Sequence, residues 1–215
     1  MKYIRKKKEP LSLTEWNKKL GEKVPNWKSF ARGVKNELYQ ALLAEQGYIC
    51  GYCGIPISRK KCHIEHFRPK SKYKHLTFEY TNLIASCQGE DEKKPTRPVH
   101  CGHKKGAWFD EELMISPLDK NCCKYFHYSG YGEIIPTEKP ELEAAAKTTI
   151  QKLALNIDKL RKMRRAAIDA VLEVTEGLTP EEIKVLAKSY QKLDSQGRYT
   201  PFWATVTYTL EQFFE

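Results

Sequence analysis

The chain has 215 residues, of which 40% are hydrophobic, 11% are aromatic and 30% are charged. This composition excludes a disordered, collagen-like or low-complexity chain, and the length suits one domain with an appendage or two small domains. The net charge is +10, and the apolar runs are short, so we expect neither a transmembrane helix nor a secretory signal peptide.

The positive charge is concentrated in the first half of the chain. Residues 1–110 include 23 basic and 11 acidic residues, whereas residues 111–215 include 14 and 16. Phosphate binding needs Lys and Arg gathered on one surface, so this asymmetry indicates a polyanion-binding half joined to an ordinary globular half. The alternative is a solvated basic face without a partner.

The first half is predicted to mix helix, strand and turn. Residues 1–25 form a basic N-terminal arm, and the first ten of them are expected to be mobile. Apolar residues recur every four positions over 26–45, which indicates a helix that ends at Gly47. The segment 50–71 contains helix breakers and predicts two short strands around a tight metal-binding turn. Residues 88–100 form a polar loop that can lie beside a substrate groove.

The second half is predicted to be helical. Apolar residues step by three or four over 140–176, as in one long amphipathic helix that could be broken once near Arg164 and Arg165. A second helix over 179–193 begins with an N-cap threonine, a first-turn proline and a capping-box acid. Pro201 opens a last helix.

Seven cysteines occur in the chain. An odd number without a signal peptide argues against a disulfide framework and for reduced thiols in the cytoplasm. Four of them suit a tetrahedral structural Zn²⁺, as a CxxC pair followed by two later residues: Cys50, Cys53, Cys87 and Cys101. A redox CxxC pair and unligated cysteines are the alternatives. The other three are expected to be buried, inert thiols: Cys62, Cys122 and Cys123.

The segment HIEHFRPKS, residues 63–71, lies between the two pairs of cysteines. Glu65 can place a hard carboxylate on a divalent metal while His66 reaches a water molecule beside the same phosphate. Asn82 and His103 follow. Each residue alone has an ordinary explanation as a salt-bridged acid, a turn residue or a satisfied polar contact. Their order, interleaved with the cysteines, favours a catalytic set.

This series of motifs resembles the HNH endonucleases, which have a ββα-metal fold and a zinc-bound cysteine frame, over about residues 48–106. The resemblance implies that His66 is the general base and that Glu65 is a metal ligand. It also implies that His103 completes the metal coordination, while Asn82 shapes the loop and orients the base.

The chain departs from the family pattern in two places. It has Glu65 where many members have Asp, and a longer side chain can alter the metal preference. It also has a 13-residue insertion between Cys87 and Cys101, which leaves another Cys or His as an alternative fourth zinc ligand.

A narrower resemblance extends to the stretch ISPLDKNCCKYFHYSGYGEIIPT, the basic arm and the helical tail. These are similar to the PtuB-like HNH nuclease subunit of Septu-type anti-phage systems, which also occurs with retrons. The resemblance implies an ABC/SMC-like ATPase partner and, in retron versions, a reverse transcriptase with its multicopy single-stranded DNA. The expected fold is α+β: a ββα-metal nuclease core with a zinc knuckle over 26–138, preceded by a helix and followed by a helical partner-docking unit over 139–215.

The expected activity is hydrolysis of DNA or RNA with one Mg²⁺ or Mn²⁺ held by Glu65 and His103, as the toxic effector of a defence complex. The alternatives are a stand-alone restriction-type or mobile-element HNH nuclease, and a non-catalytic zinc module that docks nucleic acid or protein. A strand would place His63 on the same face as Glu65. The alternatives for His63 are an extra metal ligand, a phosphate contact and a packed or solvated histidine beside Cys62. Backbone phosphates are expected to bind five basic residues: Arg68, Lys70, Lys72, Lys104 and Lys105.

Overall fold

The computed structural model consists of helices around two small antiparallel sheets. Among the helices that it describes, none is both long and apolar enough to cross a bilayer. It describes residues 1–21, 23, 26–89 and 99–213, so most of the predicted polar loop at 88–100 lies outside the described residues.

The N-terminal segment is anchored to the core at Met1, Ile4 and Lys6, so the prediction of a mobile arm was wrong. Met1 and Ile4 are buried in the main hydrophobic cluster. The ammonium group of Lys6 binds the buried carboxylate of Glu45, which also accepts a hydrogen bond of 2.7 Å from the hydroxyl of Tyr80. The basic composition of this segment concealed its role, because the apolar residues that anchor it are separated by lysines.

Two helices follow in the first half. Helix α1 (Leu11–Leu20) was not predicted, and it packs against α2 (Arg32–Glu45). The helix predicted over 26–45 begins only at Arg32, because the preceding residues form a single 3₁₀ turn, Trp27–Ser29. The side chain of Asn26 caps that turn by accepting a hydrogen bond from the amide of Lys28.

The central sheet pairs β1 (Cys62–His66) with β2 (Leu83–Cys87) in antiparallel register, and the short helix α3 (Cys101–Lys105) packs against β2. This order confirms the ββα arrangement. The prediction of two strands within 50–71 was wrong, because the structure describes all of this segment and β1 is its only strand. Ile49 and Pro56 form only an isolated bridge around the CxxC turn. The partner of β1 is β2, whose five residues are all buried.

A second hairpin and four helices complete the described part of the chain. Their order supports the prediction of a helical C-terminal part. The strands are β3 (Phe126–Tyr128) and β4 (Ile134–Pro136), and the helices are α4 (Pro140–Lys152), α5 (Asp158–Thr175), α6 (Pro180–Tyr190) and α7 (Trp203–Glu211). Helix α6 begins with the predicted capping box of Thr179 and Glu182.

The long helix predicted over 140–176 is interrupted at residues 153–157, not near Arg164. Ala154 has a positive φ of 49°, which ends α4. Arg164 instead lies in the middle of α5 with only 2% of its surface exposed. Its guanidinium donates to the carbonyl oxygens of Gly132 and Leu155, at 2.6 and 2.7 Å. Arg164 therefore connects α5 to the turn between β3 and β4 and to the segment between α4 and α5, where it satisfies two carbonyl groups.

The main hydrophobic cluster extends from Met1 to Leu160 and therefore includes α4. A smaller cluster lies between α5, α6 and α7 and contains Val171, Ile183, Ala187, Val206 and Leu210. The division of the chain at residue 139 stays a prediction.

Candidate active site and metal centre

Four cysteine thiols meet at one end of the central sheet. Cys50 and Cys53 lie in the CxxC turn, Cys87 ends β2 and Cys101 begins α3. All four are buried, and their Sγ atoms lie within 4.8 Å of one another. A tetrahedral zinc ion with Zn–S bonds of about 2.3 Å needs sulfur atoms roughly 3.8 Å apart. The Sγ atoms of Cys53 and Cys87 lie 3.9 Å apart, so the cluster fits a structural zinc ion.

Two nitrogen atoms lie within hydrogen-bond distance of the thiols of this cluster. The amide of Cys87 donates to Sγ of Cys50 at 3.3 Å. The fully buried Nδ1 of His100 lies 3.1 Å from Sγ of Cys101 and 3.7 Å from Sγ of Cys87. Such contacts orient metal ligands and tune their basicity. The sequence analysis missed His100, although its position directly before Cys101 is a usable signal.

The other three cysteines lie apart from this cluster. Cys62 and Cys122 are buried, as predicted, whereas Cys123 is exposed, so the prediction of a buried thiol was wrong there. Burial raises the pKa of the Cys62 thiol to about 11 and that of the Cys122 thiol to about 12. These two thiols therefore stay protonated at neutral pH.

Strand β1 places His63 and Glu65 on one face of the sheet, because side chains alternate along a strand. Nε2 of His63 lies 3.3 Å from Oε2 of Glu65, and the ring centroids of His63 and His103 lie 4.3 Å apart. Gly102 of α3 lies directly beneath these groups. A Cβ atom at this position would lie 2.6 Å from Nε2 of His63 and 2.7 Å from Oε2 of Glu65. Because Gly102 has no side chain, His63 and Glu65 can occupy this space.

Lys105 is buried, contrary to the prediction of a surface residue that binds phosphate. Its Nζ atom lies 2.8 Å from Oε1 of Glu65 and donates to the carbonyl oxygens of His66 and Gly106, at 3.1 and 3.3 Å. Burial alone would raise the pKa of Glu65, but the hydrogen bond with His63 and the charge of Lys105 outweigh it, so this pKa is lowered. Glu65 is thus an anion whose Oε1 is paired with Lys105 and whose Oε2 faces His63.

His66 is buried, and its orientation is set by the loop between β1 and β2. Its Nε2 lies 3.0 Å from the carbonyl oxygen of Thr77. A carbonyl oxygen only accepts hydrogen bonds, so Nε2 carries the proton and Nδ1 is the basic nitrogen. Burial, together with the charge of Lys70, lowers the pKa of His66 to about 4, so the imidazole is neutral at neutral pH. Trp27, which the sequence analysis missed, packs edge-on against this ring at 4.6 Å.

Asn82 is buried and holds together the loop that follows β1. Its Oδ1 accepts from the amide of Arg68 at 2.7 Å, and its Nδ2 donates to the carbonyl oxygens of Arg68 and Leu76, at 3.0 and 3.2 Å. Leu76 is next to Thr77, whose carbonyl orients His66. These are the contacts of a residue that shapes the loop, and its part in catalysis stays a prediction.

A cleft of about 450 Å³ opens above these groups, and its lining includes His63, Glu65, His66, Lys70 and His103. The structure therefore brings together three of the four predicted catalytic residues, with Asn82 behind them.

The predicted phosphate-binding residues differ in how available their charges are. Lys70 is exposed and lines the cleft, and Lys72 and Lys104 are exposed next to the lining residues Ser71 and His103 in the sequence. Arg68 is half-buried, and its guanidinium forms two hydrogen bonds with the carboxylate of Glu111, at 2.7 and 3.1 Å. Phosphate contacts are therefore easier for the three lysines than for Arg68.

The chain is similar in sequence to several known proteins. The HNH endonuclease family model matches residues 50–89. The protein assigned as the HNH endonuclease of retron Vc95, from Vibrio cholerae serotype O1 biovar El Tor, is 31% identical over 148 residues, which is 66% of this chain and 69% of that protein. The protein assigned as the HNH endonuclease of retron Ec83, from Escherichia coli, is 26% identical over 178 residues, covering 65% and 69%.

A third relative comes from a Septu system. The Septu protein PtuB of Bacillus thuringiensis is 29% identical over 145 residues, which is 64% of this chain and 49% of PtuB, so the chain spans about half the length of that protein. Together with the ββα core and the cysteine cluster, these similarities show that the chain belongs to the HNH endonuclease family.

Proposed function

We propose that the protein is a metal-dependent endonuclease that hydrolyses phosphodiester bonds in nucleic acid as the effector of an anti-phage defence complex. The observation that carries this proposal is the meeting of Glu65, His66 and His103 in one cleft bordered by lysines. A carboxylate, a neutral imidazole and a second imidazole are the groups that metal-assisted hydrolysis requires.

Glu65 and His103 are the residues that would hold a catalytic Mg²⁺ or Mn²⁺. Oε2 of Glu65 suits either ion, whereas an imidazole ligand favours Mn²⁺ over Mg²⁺. The side-chain amide of Gln88 defines the tautomer of His103. Nε2 of Gln88 donates to the carbonyl oxygen of Cys62. Oε1 of Gln88 therefore faces His103 and accepts a hydrogen bond from Nε2 of that histidine, at 3.1 Å. The proton then lies on Nε2, and Nδ1 is the coordinating nitrogen. The bound ion would stabilise negative charge on the phosphate and the leaving 3′ oxygen.

His66 acts as the general base through Nδ1, which takes a proton from the attacking water. The hydrogen bond from Nε2 to the carbonyl of Thr77 leaves Nδ1 as the basic nitrogen and stabilises the imidazolium that forms. Asn82 supports this arrangement by holding the loop in place. Lys70, Lys72 and Lys104 hold the backbone phosphates, which predicts salt-dependent binding with little sequence preference.

The four clustered cysteines hold a structural zinc ion in this proposal, which gives the nuclease centre a rigid frame. Zinc fits because the donors are four buried thiols within 4.8 Å of one another. The cysteines are all free in the described structure, in accord with a protein that acts in the cytoplasm, where thiols stay reduced.

The names of the relatives refer to retron and Septu systems, and we extend that association to this chain. The proposed partners are an ABC/SMC-like ATPase and, in a retron, a reverse transcriptase with its multicopy single-stranded DNA. Docking is assigned to residues 139–215, where aliphatic side chains of α5 and α6 are exposed: Leu172, Val174 and Val185.

The test is cleavage of labelled plasmid, single-stranded DNA and total RNA by the purified protein with Mg²⁺ or Mn²⁺, alone and with co-expressed neighbouring proteins. We expect His66→Ala to lose about 10²–10⁴-fold in rate with nucleic-acid binding intact. The control is His75→Ala, which changes an exposed histidine outside the cleft.

Two results would contradict the proposal. Cutting by His66→Ala at nearly the wild-type rate would refute the general base. No cutting under any condition, with the neighbours present, would favour a non-catalytic zinc module.

A further inference from the structure

We infer that His63 is a third protein ligand of the divalent ion at the nuclease centre. The inference rests on the proposed function, since it requires that Glu65 and His103 bind a hard divalent ion in the cleft. The HNH resemblance assigns no role to His63, yet its imidazole lies between the other two groups.

The first observation is the distance between His63 and Glu65. Two ligand atoms bound to one ion at about 2.1 Å, in neighbouring positions of an octahedron, lie roughly 3.0 Å apart. Nε2 of His63 and Oε2 of Glu65 lie 3.3 Å apart. A small movement of either flexible side chain would therefore bring both atoms onto one ion.

The second observation is the distance between the two imidazole rings. A ring bound through nitrogen at about 2.1 Å has its centroid about 3.2 Å from the ion, so two neighbouring rings have centroids roughly 4.5 Å apart. The centroids of His63 and His103 lie 4.3 Å apart, with the ring planes tilted by 56°. This distance does not depend on Glu65, and it is the spacing expected of two imidazole rings that share one ion.

The surroundings of His63 also favour a ligand that faces the cleft. Its side chain is 21% exposed and that of Glu65 is 10% exposed, so an ion can reach both. Gly102 allows both side chains to lie against the backbone of α3. Lys105 is paired with Oε1 of Glu65 and leaves Oε2 toward His63.

Nδ1 of His63 determines how much this ligand contributes. It is buried and has no hydrogen-bond partner among the described residues. A His63 ligand that used Nε2 would carry its proton on Nδ1, which lacks an acceptor, and this would weaken coordination. We therefore expect His63 to contribute less to metal affinity than Glu65.

The experiment is Mn²⁺ titration of the zinc-loaded full chain, followed by calorimetry and pulsed electron paramagnetic resonance. The wild-type protein should show ¹⁴N couplings from two imidazoles, and His63→Ala should show one. We expect His63→Ala to weaken Mn²⁺ binding about 10-fold and Glu65→Gln about 100-fold. His75→Ala should change neither measurement.

His63→Gln separates a ligand from a residue that only donates a hydrogen bond to Glu65, since glutamine keeps a donor but removes the imidazole. A ligand predicts that His63→Gln loses one ¹⁴N coupling. The coupling is the deciding measurement for this variant, which should retain its zinc, because the amide oxygen of glutamine can itself bind Mn²⁺. A single imidazole coupling in the wild type that His63→Gln leaves unchanged would overturn the inference and leave the proposed function standing. No Mn²⁺ binding by the wild type would overturn both.

Discussion

Replacing Gly102 with alanine adds one methyl group beneath the nuclease centre. The new Cβ would lie 2.6 Å from Nε2 of His63, 2.7 Å from Oε2 of Glu65 and 2.9 Å from Cδ of Glu65. Non-bonded carbon contacts are favourable at about 3.5–4.0 Å, so both side chains must move by roughly 1 Å. Gly102 has no positive φ, and its backbone conformation therefore accepts alanine.

The magnitude follows from what this movement affects. A misplacement of about 1 Å in a catalytic group can cost roughly 10²-fold in rate. Stability should change far less, because alanine in place of glycine favours a helix by about 1 kcal/mol and the displaced side chains line an open cleft. We therefore expect Gly102→Ala to lose about 100-fold in cleavage rate while its free energy of unfolding stays within about 1 kcal/mol of the wild type.

The assay compares single-turnover cleavage and urea unfolding of Gly102→Ala with those of Gly33→Ala. Gly33 also lies in a helix, α2, but a Cβ atom there meets nothing within 4 Å. The control should cut at the wild-type rate. Cleavage by Gly102→Ala within threefold of the control would refute the argument that this space positions Glu65 and His63, as would a loss of activity fully explained by unfolding.

Three further predictions concern residues that the fold buries. Lys105→Met removes the cation that pairs with Oε1 of Glu65 and should lower the free energy of unfolding by about 3 kcal/mol in urea, with partial recovery when Glu65→Gln is added. No loss of stability would contradict the buried ion pair. Cys101→Ser should abolish stoichiometric zinc in elemental analysis and lower the melting temperature, as a chelator should in the wild type, whereas one zinc per chain in this variant would exclude Cys101 as a ligand. Lys6→Met should lower the free energy of unfolding by about 3 kcal/mol, because Lys6 pairs with Glu45, whose side chain is 0% exposed. An unchanged urea midpoint would show that Lys6 does not anchor the N-terminal segment.

Features with a local cause could be predicted from the sequence. The capping box of Thr179 and Glu182 forms because both partners lie within one helical turn. His63 lies beside Glu65 because the two residues are two positions apart in β1, and side chains alternate between the faces of a strand. The kinds of residue and their order were enough to indicate an HNH endonuclease with a cysteine cluster. They were not enough to predict the distances between residues that lie far apart in the chain.

Only the tertiary structure determined which lysines pair with buried carboxylates and where the long helix is interrupted. Lys6 and Lys105 look like surface cations in the sequence, but each ammonium group lies against a buried carboxylate from a distant part of the chain. Arg164 marks no break, because carbonyl groups outside its own helix satisfy its guanidinium. Burying a charge is costly unless partners offset the loss of water, and those partners exist only once the chain has folded. The sequence therefore determined the family and its chemical groups, whereas the tertiary structure decided which charges face the solvent and which hold the site together.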